Sequence, residues 1–158
     1  DGIVVNVQGD EPLIEPAVID RCVEALRDEA AADWATPVYP LHGEADTASP
    51  HCVKVVCDAN GYALYFSRAC IPYDREGAGG VERFGHIGLY AYRRRALEEF
   101  SALDATPLER AEKLEQLRAL EHGMRILCVH VPRAWPGIDT PADLAAVEAL
   151  AIDGVGGE

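Results

Sequence analysis

Cysteine is sparse and its pattern offers no pairing. The five thiols (Cys22, Cys52, Cys57, Cys70, Cys128) are odd in number and scattered, with no Cys-x-x-Cys and no histidine at ligand spacing. A disulfide scaffold and a zinc ribbon are therefore set aside in favour of reduced, structural thiols. Positive charge is also scarce: 14 lysines and arginines stand against 27 aspartates and glutamates, a net charge of -13. Such a surface repels polyanions, so no nucleic-acid partner is expected. Long apolar runs are missing too, since nothing approaches the roughly 20 residues that span a bilayer. The first residues lack the basic and apolar regions of a signal peptide. These absences predict a soluble, cytoplasmic chain without a membrane partner.

What is there suffices for one domain over residues 1–158, 49% hydrophobic. Ile3-Val4-Val5-Asn6-Val7 is an unbroken, mostly β-branched run of the kind found in parallel strands buried on both faces. Asp10-Glu11-Pro12 ends it, and Pro16 suits the first turn of a helix striped with Val18, Ile19, Cys22, Val23 and Leu26. A second strand is expected from Trp34 to Tyr39, then a loop through Gly43 and Pro50. The Asn60-Gly61 step between Val53-Lys54-Val55-Val56 and Tyr62-Ala63-Leu64-Tyr65-Phe66 predicts a hairpin. Residues 74–83, with three glycines, predict a mobile surface loop.

Further on, a strand over Ile87 to Tyr92 leads to a helix from Arg94 to Ser101. Thr106-Pro107-Leu108-Glu109 is a capping-box start for a helix running to about Glu121 and stopping near Gly123. Arg125 to Val131 predicts a strand, Thr140-Pro141-Ala142-Asp143 opens a last helix, and 154–158 form a frayed tail. Alternating strands and helices with one hairpin predict a three-layer α/β fold with a mixed, mostly parallel sheet. No glycine-rich phosphate loop follows a first strand, although such folds bind nucleotides at strand C-termini. The sheet is therefore expected to start in its middle and to expose an apolar edge.

Two loops carry candidate chemistry. Gln8-Gly9-Asp10-Glu11-Pro12 sits where a strand ends, and its adjacent carboxylates suit either a hard cation or an ordinary acidic turn. Gly137-Ile138-Asp139-Thr140-Pro141 suits either a second cation ligand or a plain helix cap. Together, Asp10 and Asp139 form a candidate pair for Mg²⁺ shared with substrate phosphates.

Five blocks in order resemble the 3-deoxy-manno-octulosonate (Kdo) cytidylyltransferase family. They are Val5-Asn6-Val7-Gln8-Gly9-Asp10-Glu11-Pro12, Gly61-Tyr62-Ala63-Leu64-Tyr65-Phe66-Ser67-Arg68, His86-Ile87-Gly88-Leu89-Tyr90, Glu112-Lys113-Leu114-Glu115-Gln116-Leu117-Arg118 and Gly137-Ile138-Asp139-Thr140-Pro141. The resemblance implies a nucleotide-diphospho-sugar-transferase-like (Rossmann-like) fold with its N-terminal third missing, and with it the loop that grips the CTP triphosphate. It implies an enzyme that transfers CMP from CTP to Kdo for lipopolysaccharide biosynthesis, a homodimer when intact, with the fragment inactive alone. Asp10 and Asp139 take the family's catalytic Mg²⁺ positions. Gln8, Arg68, His86, Tyr90, Glu115 and Gln116 fall where the family recognises the sugar acid, with Arg68 suited to its carboxylate. Singly, Tyr90 also suits a core aromatic, His86 a satisfied strand residue, and Glu115 and Gln116 a solvated helix face. Ser49-Pro50-His51 stands where the family usually shows Asn-Pro-Asn, and the 74–83 loop is shortened. The alternatives are a cytidylyltransferase for sialic acid or a related keto-acid sugar, and a non-catalytic remnant.

Overall fold

A computed structural model describes residues 2–77, 81–137 and 144–145. Asp139, all but residues 144–145 of the helix expected after Thr140, and the 154–158 tail lie outside the described residues. Seven strands, β1 (Ile3–Val7), β2 (Trp34–Pro40), β3 (Lys54–Cys57), β4 (Ala63–Ser67), β5 (Phe84–His86), β6 (Leu89–Arg93) and β7 (Ile126–His130), form one sheet. Five helices accompany them: α1 (Pro16–Asp28), α2 (Glu44–Ala48), α3 (Arg94–Ser101), α4 (Pro107–Glu112) and α5 (Gln116–Glu121). The expected α/β class with a mixed sheet is present, but the strand pairing differs. Only β2 and β7 pair in parallel among the described residues; β1·β6, β2·β6, β2·β5, β3·β5 and β3·β4 are antiparallel.

The reason lies in β2. On one edge, Trp34 and Ala35 pair with β6, while Val38 to Pro40 pair with β5. Between them stands Pro37, which has no N–H to donate, so that ladder cannot run through it. The stretch from Phe84 to Arg93 is therefore split into β5 and β6, and the strand expected over Ile87 to Tyr92 starts only at Leu89. Ile87 N–H still donates to Pro37 O at 3.1 Å across the gap. The split lets β6 carry β1 on its far side while β5 carries the β3–β4 hairpin.

The second correction concerns β1, expected to be buried on both faces. Among the described residues it pairs only with β6 and leaves Val4, Val5 and Val7 exposed, the apolar edge expected of a sheet that starts in its middle. The hairpin forms as expected, with Gly61 at φ 84° and the Asp58 carboxylate accepting from the N–H groups of Asn60 and Tyr62 at 2.8 and 2.9 Å. Tyr62, Ala63 and Phe66 are buried and Leu64 is exposed.

Helix α1 begins at Pro16 and buries Val18, Cys22 and Leu26, successive positions of an i, i+4 stripe. Its C-terminal carbonyls are satisfied by Arg93, which donates to Leu26 O and Glu29 O at 2.7 and 3.1 Å. One core cluster lies under α1; the other gathers Trp34, Val55, Phe66, Tyr90, Tyr92, Leu117 and Ile126.

Candidate functional site

A cleft of about 720 Å³ opens along the split strand and is lined by Gln8, Asp10, Arg68, His86, Tyr90, Glu115 and Gln116. Seven of the eight sequence-derived positions thus share one wall-to-wall space, though they come from four separate blocks of sequence. Asp139 lies outside the described residues.

The turn after β1 is sewn to the gap in the split strand. Gln8 N–H donates to Gly88 O at 2.9 Å, and Gly88 N–H donates to Glu11 Oε1 at 3.1 Å. A Cβ on residue 88 would stand 2.5 Å from Gln8 Oε1, so glycine there makes room for the Gln8 amide. The two neighbouring carboxylates are thereby separated in role. Glu11 anchors the turn, while Asp10 stays exposed on the cleft. The second loop arrives beside it: a Cβ on Gly137 would lie 3.1 Å from Asp10 O. Its approach is held by Trp135 Nε1 and Arg133, which both donate to Glu15 Oε1 at 3.1 Å. No cluster of three or more metal-ligating side chains occurs among the described residues. An exposed aspartate beside a close-packed backbone suits a Mg²⁺ that takes its other oxygens from phosphate and water.

His86 forms part of the floor. The buried Thr36 hydroxyl donates to Leu89 O at 2.7 Å, which leaves its lone pair for His86 Nε2 at 2.9 Å. The proton of the neutral ring therefore sits on Nε2, and Nδ1 is an acceptor. Phe66 and Tyr90 flank the ring at centroid distances of 5.2 and 5.3 Å. Burial lowers its pKa from 6.5 to about 3. The unfolded chain then binds a proton that the native state refuses, so this contribution is present above the unfolded pKa and is lost as pH falls toward the folded one. The limiting slope is about 1.4 kcal/mol per pH unit. Urea unfolding of His86→Gln should accordingly show a flatter loss of stability below about pH 6 than the parent chain; equal slopes would contradict a half-buried ring held neutral.

Tyr90 is both a core aromatic and a cleft residue, 5% exposed, edge-on to Trp34 and stacked on Tyr92. Burial raises its pKa well above 10, so its hydroxyl stays protonated.

The far wall corrects two expectations. The helix expected from Pro107 to Glu121 is broken: Lys113 adopts a left-handed conformation (φ 57°, ψ 47°), and α5 starts anew at Gln116. The break has side-chain causes. Glu112 accepts from Ser67 Oγ at 2.6 Å and from Arg68 N–H at 3.0 Å, while its own carbonyl accepts from Arg68 Nε at 2.9 Å. Glu115 and Gln116 are thus presented by a helix start, and Gln116 is only 5% exposed, unlike a solvated helix face. Arg68, assigned to the sugar carboxylate, spends Nε on Glu112 O and Nη1 on Pro50 O at 2.9 Å. It lines the cleft as a partly engaged guanidinium.

Sequence reasoning missed Asn6, Tyr39, His51 and Lys113, which also line the cleft. Period-2 alternation puts Asn6 on the same strand face as Gln8 and could have found it. Nothing in the local pattern announced the left-handed Lys113.

A split-strand α/β sheet with this cleft at its β1 turn is the framework of a nucleotidyltransferase, and a family model described as Cytidylyltransferase matches residues 1–126. The chain belongs to the cytidylyltransferase family. It is 52% identical over 148 residues to the 3-deoxy-manno-octulosonate cytidylyltransferase of Myxococcus xanthus (strain DK1622), covering 94% of this chain and 59% of that protein. The enzyme of the same name from Chloroherpeton thalassium (strain ATCC 35110 / GB-78) is 48% identical over 150 residues, covering 94% and 61%. A solved structure of CMP:2-keto-3-deoxy-manno-octonic acid synthetase complexed with CTP superposes with a TM-score of 0.89 at 41% identity, covering 96% of this chain and 62% of that one. The chain thus spans about three-fifths of the length of each relative.

Proposed function

We propose that this chain forms the acid-sugar and metal-binding part of a CMP-Kdo synthetase, transferring CMP from CTP to Kdo with release of pyrophosphate. The observation that carries the reading is the convergence of Gln8, Asp10, Arg68, His86, Tyr90, Glu115 and Gln116 on one cleft. The identity to relatives named for this activity supports it. In the reaction, the anomeric hydroxyl of Kdo attacks the α-phosphorus of CTP, and the bond to the β-phosphate breaks. Gln8, neutral His86, Glu115 and Gln116 supply the mixed donors and acceptors that hold a polyhydroxylated sugar in line with that phosphorus. Asp10, with Asp139, would hold Mg²⁺, whose chemistry when bound is to neutralise phosphate charge. The same reading takes the working protein as a cytoplasmic homodimer; no helix among the described residues is long and apolar enough to cross a membrane.

Pyrophosphate release from CTP tests the substrate. Kdo should be preferred over sialic acid by about 100-fold or more in kcat/KM, the scale that buried polar recognition reaches. Equal rates, or a preference for sialic acid, would overturn the assignment.

A further inference from the structure

Lys54 is fully buried, yet no carboxylate among the described residues forms an ion pair with it. Its ammonium donates to three main-chain carbonyls, Ser49 O and Cys52 O at 2.6 Å and Arg68 O at 2.7 Å. Those are all the protons an ammonium has, so none remains for a ligand. Arg68, gripped by its own carbonyl, passes the connection on through Nη1 to Pro50 O and through Nε to Glu112 O. Glu112 in turn accepts from Ser67 Oγ and Arg68 N–H. Three pieces of cleft wall are tied together by this network: the loop at 49–53, the end of β4, and the helix break that presents Glu115 and Gln116. The links from Lys54 and Arg68 to the 49–53 loop all run to backbone carbonyls, beside a side-chain contact from Tyr39 OH to Cys52 Sγ at 3.4 Å. Ser49 Oγ accepts from the His51 N–H at 3.3 Å within the loop, but the side chains of Ser49 and His51 make none of the links to Lys54 or Arg68, and both residues line the cleft.

We propose that Lys54 is a positioning residue for the acid-sugar side of the cleft, fixing the 49–53 loop and the helix break through backbone carbonyls rather than through the side chains at 49 and 51. The proposal rests on the Kdo reading for its substrate and on the geometry for its clamp. It also accounts for Ser49-Pro50-His51 standing in place of Asn-Pro-Asn: the anchors from Lys54 and Arg68 do not use the side chains at 49 and 51.

Lys54→Met keeps the length of the side chain and removes all three donors. Assayed well below its melting temperature in the protein carrying this chain, it should raise the KM for Kdo about tenfold or more and change the KM for CTP by less than about threefold. A purely structural role would lower the melting temperature and the active fraction while leaving both KM values alone, and that outcome overturns the proposal. Hydrogen exchange without substrate reads the clamp directly. Amides at 49–53 and at 112–116 should both exchange faster in Lys54→Met, with β7 unchanged. Acceleration at 49–53 alone would show that the loop and the helix break are not coupled, and would also overturn it. If Lys54→Met does not fold, Lys54→Gln carries the same exchange test. The Ser49→Asn, His51→Asn double variant should exchange like the parent chain; loosening there would mean that side chains hold the loop. Exchange supports or overturns the clamp even where Kdo proves to be the wrong sugar.

Discussion

Asp10→Asn is expected to keep the ligand-free melting temperature of the parent protein and to lose CMP transfer by on the order of 100-fold, the scale of removing one preorganised electrostatic stabiliser. Asp10 is exposed on the cleft, and its carboxylate makes no hydrogen bond among the described residues, so the fold has little to lose. The neighbouring Glu11 is a contrasting control. Its carboxylate receives the Gly88 N–H, and Glu11→Gln should disturb the turn more than the chemistry. If Asp10 and Asp139 share one Mg²⁺, their Asn variants should be non-additive, with the double variant little worse than the worse single one. Pyrophosphate release across a Mg²⁺ titration checks both statements. Near-normal turnover of Asp10→Asn at ordinary Mg²⁺ would leave that residue as part of a turn.

Arg118→Met should produce the largest loss of stability, about 3 kcal/mol, because it strands a buried carboxylate. Arg118 meets Glu109 through two bonds of 2.6 and 2.8 Å, with both side chains mostly buried. Glu109 also accepts from the Thr106 N–H at 3.1 Å, and Arg118 lies over the Phe100 ring at 4.6 Å. The pair therefore joins the start of α4 to α5 across the break at Lys113. Pairing with Arg118 and the Thr106 N–H lower the Glu109 pKa against the opposing effect of burial. A lowered carboxylate pKa contributes stability above the unfolded value that is lost as pH falls through the folded value. Chemical denaturation should find the gap between the parent and Arg118→Met widest near neutral pH and shrinking on acidification. A pH-independent gap would mean that packing on Phe100, and not charge, is what Arg118 contributes.

The parts of the fold that depend on nearest neighbours in sequence were legible there. Pro16 with its apolar stripe, Asn60-Gly61, the Arg94–Ser101 helix and the Thr106-to-Glu109 start all appear where their local chemistry puts them. Residues whose state depends on distant partners were not. β1 carries the composition of a buried strand, yet its neighbour on one side is β6 and its other side chains are exposed; composition cannot report who pairs with a strand. The α4–α5 break arises because Arg68, 44 residues earlier, takes the Glu112 carbonyl. Pro37 lies inside the strand expected from Trp34 to Tyr39, but its consequence falls 50 residues later, in the break between β5 and β6 next to His86.

The site was legible in a different way. The resemblance picked out which residues converge, and elementary chemistry then divides their labour. Of two adjacent carboxylates, the one facing Gly88 is committed and the other is available. Of the cleft's groups, Arg68 is committed in part to backbone carbonyls, which sequence alone could not show. Arg68→Lys thus tests wall geometry as much as charge, since lysine lacks the fork that reaches both Pro50 O and Glu112 O.

The measurement that bears most directly on the central claim is a crystal structure of the protein carrying this chain with Mg²⁺, a non-hydrolysable CTP analogue and Kdo. The account predicts the sugar in the cleft within hydrogen-bond reach of Gln8, His86 Nδ1 and Glu115 or Gln116, its anomeric oxygen facing the α-phosphorus and a metal on Asp10. Kdo bound elsewhere, or bound in the cleft with Asp10 remote from metal and phosphate, would contradict it.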